Sequence, residues 1–117
     1  MKFTDTLKKN YEFQRLYSKG KSAVTPYLVV YVRKTKKRTN RIGITVSTKL
    51  GHAVVRNRVR RRLREIYRLA EERFAPGTEL VVVARVKAVK ASYSQLEHAF
   101  MSACAKLGVL CEESESK

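Results

Sequence analysis

Six arginines and an asparagine crowd the stretch Arg56-Asn57-Arg58-Val59-Arg60-Arg61-Arg62-Leu63-Arg64, with only Val59 and Leu63 apolar among them. So dense a run of like charge folds only if it keeps one apolar side, and the flanking sequence supplies it. On a helix advancing about 100° per residue, Val55, Val59, Leu63, Ile66 and Ala70 fall on one stripe. Arg56, Asn57, Arg60, Arg61, Arg64 and Arg68 gather on one flank of that stripe, Arg58 and Arg62 on the other. The stripe predicts a helix docked on a body. The flank predicts a polyanionic partner, because a guanidinium is a planar fork that grips phosphate oxygens bidentately. A charge run is ordinarily a solvated face laced with acids. Here Glu65 is the only acid between Glu12 and Glu71, so the run has almost no intrahelical pairing to offset its repulsion. The exposed side reads as a nucleic-acid surface.

Charge is also divided unevenly along the chain. Residues 1–64 hold 19 Lys/Arg and 2 Asp/Glu, net +17, whereas residues 65–117 hold 7 and 8, net −1, giving the overall +16. The partner's phosphates therefore belong against the first half. The asymmetry costs self-repulsion that a bound polyanion would relieve.

A chain of 117 residues that is 44% hydrophobic fits one domain with one core and is too apolar for a disordered basic tail. The expected domain covers residues 1–111, with 112–117, Glu-Glu-Ser-Glu-Ser-Lys, as a flexible tail. No apolar run approaches the roughly 18 residues that span a bilayer. Met1 to Thr6 lacks the apolar core of a signal peptide, so a cytoplasmic protein is expected. A polybasic membrane-surface role is disfavoured, because the arginines flank a core-facing stripe rather than a bulky lipid-facing one. Cys104 and Cys111 make no disulfide framework and no zinc spacing. Cys104 fits a helix's apolar face as a small hydrophobe.

Punctuation and periodicity divide the chain further. Asn10 is the expected N-cap of a helix over 11–18 that stops at Gly20, with Glu12 in its first turn and Leu7 packing back as a staple. Phe13, Leu16 and Tyr17 share a face of it. Residues 22–34 read as extended, broken at Thr25-Pro26, and Lys34 to Asn40 as a basic turn. From Arg41 to Thr48, Ile42, Ile44 and Val46 point one way and Gly43, Thr45 and Ser47 the other. The arginine helix spans 53–74 and ends before Pro76-Gly77. Glu79 to Val86 is a nearly continuous β-branched run, the mark of a strand covered on both faces. Ser92 and Gln95 form a capping box opening a last helix with Leu96, Ala99, Phe100, Ala103 and Leu107 as its stripe, closed by Gly108. The order is α-β-β-β-α-β-α, a single-domain α+β sandwich with a small mixed sheet.

A protein-borne hydrolytic site is not visible in this pattern. Two-metal hydrolysis needs clustered carboxylates, and the ten acids are scattered. His52 and His98 have no acid partner in reach by sequence, and neither a metal site nor a cofactor of the protein's own is expected. Single-stranded RNA is held by aromatic faces along a basic groove. Phe13 and Tyr17, spaced i,i+4, suit such a groove or plain core packing equally well.

Val46-Ser47-Thr48-Lys49-Leu50-Gly51-His52-Ala53-Val54-Val55-Arg56-Asn57-Arg58-Val59-Arg60-Arg61-Arg62-Leu63-Arg64 resembles the signature V-S-x-K-x-G-x-A-V-x-R-N-R-x-[KR]-R of the bacterial ribonuclease P protein component. Leu7-Lys8-Lys9-Asn10 with Phe13 and Tyr17 is similar to that family's first helix. The resemblance covers about residues 7–108. One departure is His52, where the family commonly has Asn.

The resemblance implies a subunit that helps a catalytic RNA remove the 5′ leader of precursor tRNA, the RNA doing the chemistry with bound Mg2+, and RNA rather than DNA as the expected partner. It implies RNA-subunit binding by Arg56, Asn57, Arg58, Arg60, Arg61, Arg64 and Arg68. It also implies a leader cleft lined by Phe13, Tyr17, Tyr27, Tyr31, Ser47, Lys49 and Arg56. A left-handed strand–helix–strand crossover around the arginine helix is implied too, against the usual right-handed rule. The same basic helix would also serve a structural RNA-binding protein of ribosomal type, with no part in cleavage, and composition does not separate the two.

Overall fold

The β-branched run after Gly77 lies at the centre of the molecule. A computed structural model describes residues 4–110; Cys111, the expected 112–117 tail and both ends of the expected 1–111 domain lie outside the described residues. The elements are β1 (Thr4–Thr6), α1 (Asn10–Lys19), β2 (Lys21–Val24), β3 (Leu28–Lys34), β4 (Asn40–Thr45), α2 (Ala53–Ala70), β5 (Thr78–Ala84) and α3 (Tyr93–Lys106). One mixed sheet carries the strands in the order β1-β4-β5-β3-β2. β4 runs parallel to β5 and to β1, and the β5–β3 and β3–β2 pairs are antiparallel. β5 is thus hydrogen-bonded on both edges and covered on both faces, which its apolar run requires.

Strand alternation sorts side chains onto two faces. On one face Leu28, Val30, Val32, Ile42, Leu80 and Val82 pack beneath α2 and α3, against Val59, Leu63, Ile66, Leu96, Phe100 and Cys104. On the other, Val81 is buried with Leu7 and with Leu16 of α1, and Phe13, Tyr17, Tyr31 and Val83 pack around them half-buried. The approach of α1 depends on a missing side chain. A Cβ at Gly43 would stand 2.6 Å from Phe13 Cε1 and 2.7 Å from its Cζ, so the ring sits where any larger residue would be. An isolated glycine in a strand often marks such a close approach.

Several sequence expectations shift. The order gains a strand, β1, too short and polar to show a period; it pairs Thr4, Asp5 and Thr6 with Asn40, Arg41 and Ile42. α1 begins one residue early, with Lys9 rather than Asn10 at the N-cap position. Glu12 makes this workable, its Oε1 accepting from the backbone N–H of Lys8 at 3.2 Å and of Lys9 at 3.1 Å. α2 ends at Ala70 and a 3-10 turn, Glu71–Arg73, carries the chain on to Phe74. The buried stripe of α2 is also wider than expected. Val55 is only half-buried, whereas Tyr67 is fully enclosed. Its hydroxyl lies 2.6 Å from Thr4 Oγ1, which in turn donates to Glu71 Oε2 at 2.6 Å. Burial pushes the Tyr67 phenol above its ordinary pKa.

Candidate nucleic-acid interface

α2 presents its arginines as the wheel predicts, in unequal states of readiness. Asn57, Arg58, Arg61, Arg64 and Arg68 are exposed, and Arg56 and Arg60 half-buried. Arg56 Nε donates to the carbonyl of Gly51 at 3.1 Å, and Arg60 Nη1 to Asn57 Oδ1 at 2.9 Å. These are neutral acceptors, so both charges stay uncompensated. Arg68 is different. It pairs with Glu65 at 2.6 Å, the carboxylate sinks below the usual range and the guanidinium rises, chiefly through that hydrogen bond. Arg62, on the opposite flank, is tied inward by a bond from Nη1 to the carbonyl of Ala91 at 3.1 Å. His52 stands at the N-cap position and makes no side-chain cap, so the positive end of the helix dipole adds to the cationic surface.

The sheet face under α1 is the second component. Tyr17 and Tyr31 meet edge-on with ring centroids 5.0 Å apart, and the Tyr17 hydroxyl lies 3.4 Å from Thr45 Oγ1. Towards the start of β5 a row of charges closes on itself. Arg33, Glu79 and Arg41 stand abreast in cross-strand register. Arg33 Nη1 lies 3.2 Å from Glu79 Oε1 and Arg41 Nη1 2.6 Å from Glu12 Oε2. Burial works against the charge on Glu12, but the Lys9 and Lys8 N–H groups and the Arg41 guanidinium outweigh it and hold the carboxyl below the usual range.

The two components meet at the edge of β4. A groove of about 190 Å³ there is lined by Leu7, Phe13, Ile44, Arg60 and Arg64 together with Thr6 and Ile42. β1 pairs only with the first half of β4, so the arginine flank and the aromatic face open into one another.

The remaining sequence candidates distribute unevenly. Ser47 and Lys49 are exposed in the 3-10 turn entering α2, where the Ser47 hydroxyl accepts from the Lys49 N–H at 3.1 Å. Tyr27 separates from Phe13, Tyr17 and Tyr31 and packs on the α2/α3 side. The cause is local. Thr25 Oγ1 accepts from the N–H groups of Tyr27 at 3.2 Å and Leu28 at 3.0 Å, so strand alternation starts at Leu28 and Tyr27 belongs to the turn. Sequence reasoning missed Thr6, Leu7, Ile42 and Ile44 as parts of the groove, and Thr45 as the neighbour of the Tyr17 hydroxyl; the lone Gly43 between two isoleucines was the available signal. Among the described residues no three of His, Cys, Asp and Glu come together as metal ligands, and no helix is long and apolar enough to cross a membrane.

This arrangement has close counterparts. The family model described as Ribonuclease P matches residues 1–108. A "Ribonuclease P protein component" of Clostridioides difficile is 43% identical over 95 residues, covering 80% of this chain and 83% of that one. Its counterpart in Alkaliphilus oremlandii is 38% identical over 110 residues, 94% and 96% of the two chains. Among solved structures, the RNase P protein of Staphylococcus aureus superposes with a TM-score of 0.83 at 33% identity, over 90% of this chain and 96% of that one. That of Thermotoga maritima gives 0.76 at 28%, over 84% and 93%. With the family model running through nearly every described residue and the fold shared with solved members, the chain belongs to the ribonuclease P protein family.

Proposed function

We propose a division of labour within this ribonuclease P subunit: the α2 arginines hold the catalytic RNA, and the face under α1 holds the 5′ leader of precursor tRNA. The contact to the RNA subunit falls to Arg56, Asn57, Arg58, Arg60, Arg61 and Arg64, with Arg68 weakened by Glu65. The leader lies along Phe13, Tyr17 and Tyr31, with Ser47, Lys49 and Arg56 beside it. Bases stack on aromatic faces whatever their identity, and guanidinium groups take the phosphates.

The observation that carries this reading is the shared groove at the β4 edge, where Arg60 and Arg64 line the same cleft as Phe13. A strand leaving the arginine helix passes directly onto the aromatic face. Hydrolysis is assigned to the RNA with Mg2+ bound there, and the protein's own residues bind and orient. This work belongs in the cytoplasm, and the free, buried Cys104 thiol, which burial pushes up to about 12, suits a reducing compartment.

The direct test mixes the purified chain with a bacterial ribonuclease P RNA and precursor tRNA at low magnesium. Leader removal should accelerate on adding the protein. An unchanged rate, with binding to the RNA demonstrated, would leave a structural RNA-binding role instead.

A further inference from the structure

Tyr27, displaced from the α1 face, has a groove of its own. It is about 520 Å³ in volume and lined by Tyr27, Leu50, Val86, Lys87, Val89 and Lys90, with Ala91 and Gln95 at its side and no carboxylate in the wall. Val86 is 64% exposed there. The frame is fixed before anything binds. The Arg85 N–H donates to the Tyr27 carbonyl at 2.9 Å, Arg85 Nη1 to the Thr25 carbonyl at 2.8 Å, and Arg62 from α2 to Ala91 at 3.1 Å.

From this geometry we infer that the Tyr27 groove is a second nucleotide site, taking one unpaired residue of the catalytic RNA. The base lies on the Tyr27 ring between Leu50 and Val89, and its phosphates meet Lys87 and Lys90. An aromatic ring, apolar walls and two ammonium groups without an acid match a flat base joined to an anion. The RNA subunit is the source because the groove adjoins the α2 flank carrying Arg58 and Arg62. The leader face, with Tyr17 and Tyr31, lies on the other side of the sheet. The site rests on the proposed function, and it extends the RNA-contacting surface past the second flank of α2.

Three full-length variants test it by titration with a bacterial ribonuclease P RNA across a salt series, beside Arg60→Ala/Arg64→Ala as control. Tyr27→Leu should weaken binding about fivefold to a hundredfold with the salt slope unchanged, while Tyr27→Phe, which keeps the ring, binds like the parent. Lys87→Ala/Lys90→Ala should weaken binding and lower the slope by about one unit or more. The site is refuted if Tyr27→Leu or the lysine pair stays within twofold of the parent while the arginine control loses affinity. Equal loss in Tyr27→Phe and Tyr27→Leu refutes stacking, and a loss confined to leader-bearing precursor tRNA refutes the RNA subunit as source. If the arginine control also binds normally, the proposed function itself fails and takes this site with it.

Discussion

Replacing Arg60 and Arg64 with alanine isolates the charge of the arginine flank from its packing. Arg64 has no ion pair among the described residues, and Arg60 donates only to Asn57, so neither truncation leaves a buried charge behind. The body of α2 stays anchored by Val59, Leu63, Ile66 and Tyr67. The fold should therefore survive with a thermal midpoint near the parent's. If each side chain neutralises one phosphate, the slope of log affinity against log salt should fall by about 0.7–0.9 per residue, about 1.4–1.8 for the pair. At 0.1 M salt that corresponds to about 25- to 60-fold weaker binding, shrinking towards parity near 1 M. Arg68→Ala is the internal comparison. Its charge is already met by Glu65 at 2.6 Å, so it should change the slope by well under half as much as the pair does. Fluorescence titration of a bacterial ribonuclease P RNA between 0.05 and about 0.5 M salt reads all three proteins. Equal slopes for the parent and the double variant, or a larger effect for Arg68→Ala, would refute the assignment of this flank to phosphate.

Other perturbations probe the neighbouring parts. Tyr17→Ala should reduce affinity for a long-leader precursor about fivefold to a hundredfold relative to mature tRNA; equal losses on both would make the ring purely structural. Gly43→Ala forces a methyl to 2.6 Å from the Phe13 ring, which should cost about 1–3 kcal/mol in urea unfolding. Phe13→Leu in the same background should recover part of it, and a purely additive pair would contradict that contact. Because the folded Glu12 carboxyl sits below the usual range, its contribution is complete above the unfolded value, about pH 4.3, and is lost as pH falls through the folded one. Glu12→Gln should flatten that acid limb, and an acid limb identical to the parent's would clear Glu12 of responsibility.

Features with a strong local signal were legible in the sequence. The α2 stripe and flank follow from helical period and charge alone. β5 follows from its β-branched run. The α3 start follows from Ser92, whose Oγ accepts from the Gln95 N–H at 3.1 Å while Gln95 Oε1 accepts from the Ser92 N–H at 2.9 Å. What stayed hidden depended on partners distant in sequence. Tyr67 borders the basic flank on the wheel, yet it is fully buried and its hydroxyl is met by Thr4, sixty-three residues away. β1 has no period of its own and exists by pairing with β4. Tyr27 left the aromatic group because a threonine turn reset the strand's alternation, a backbone event without a hydrophobic signature. Arg68 shares a flank with Arg60 and Arg64 by angle, yet Glu65 three residues earlier redirects its charge.

The pattern of existing ion pairs bears on what the leader face can read. Arg33 and Arg41 lie on that face, and a free guanidinium there could read a base edge bidentately. Glu79 and Glu12 already hold them, at 3.2 and 2.6 Å. What remains for a strand on the face is mostly aromatic and aliphatic surface, Tyr17, Tyr31, Phe13 and Val83, with uncompensated arginines along the β4 edge. Stacking is indifferent to base identity, and phosphate contacts fix position without carrying sequence. On the proposed reading, selection by this subunit therefore acts on the presence and length of a single strand rather than on its sequence. On that reading Glu12 and Glu79, the acids a charge count treats as mere subtractions, keep the face from discriminating by holding Arg41 and Arg33.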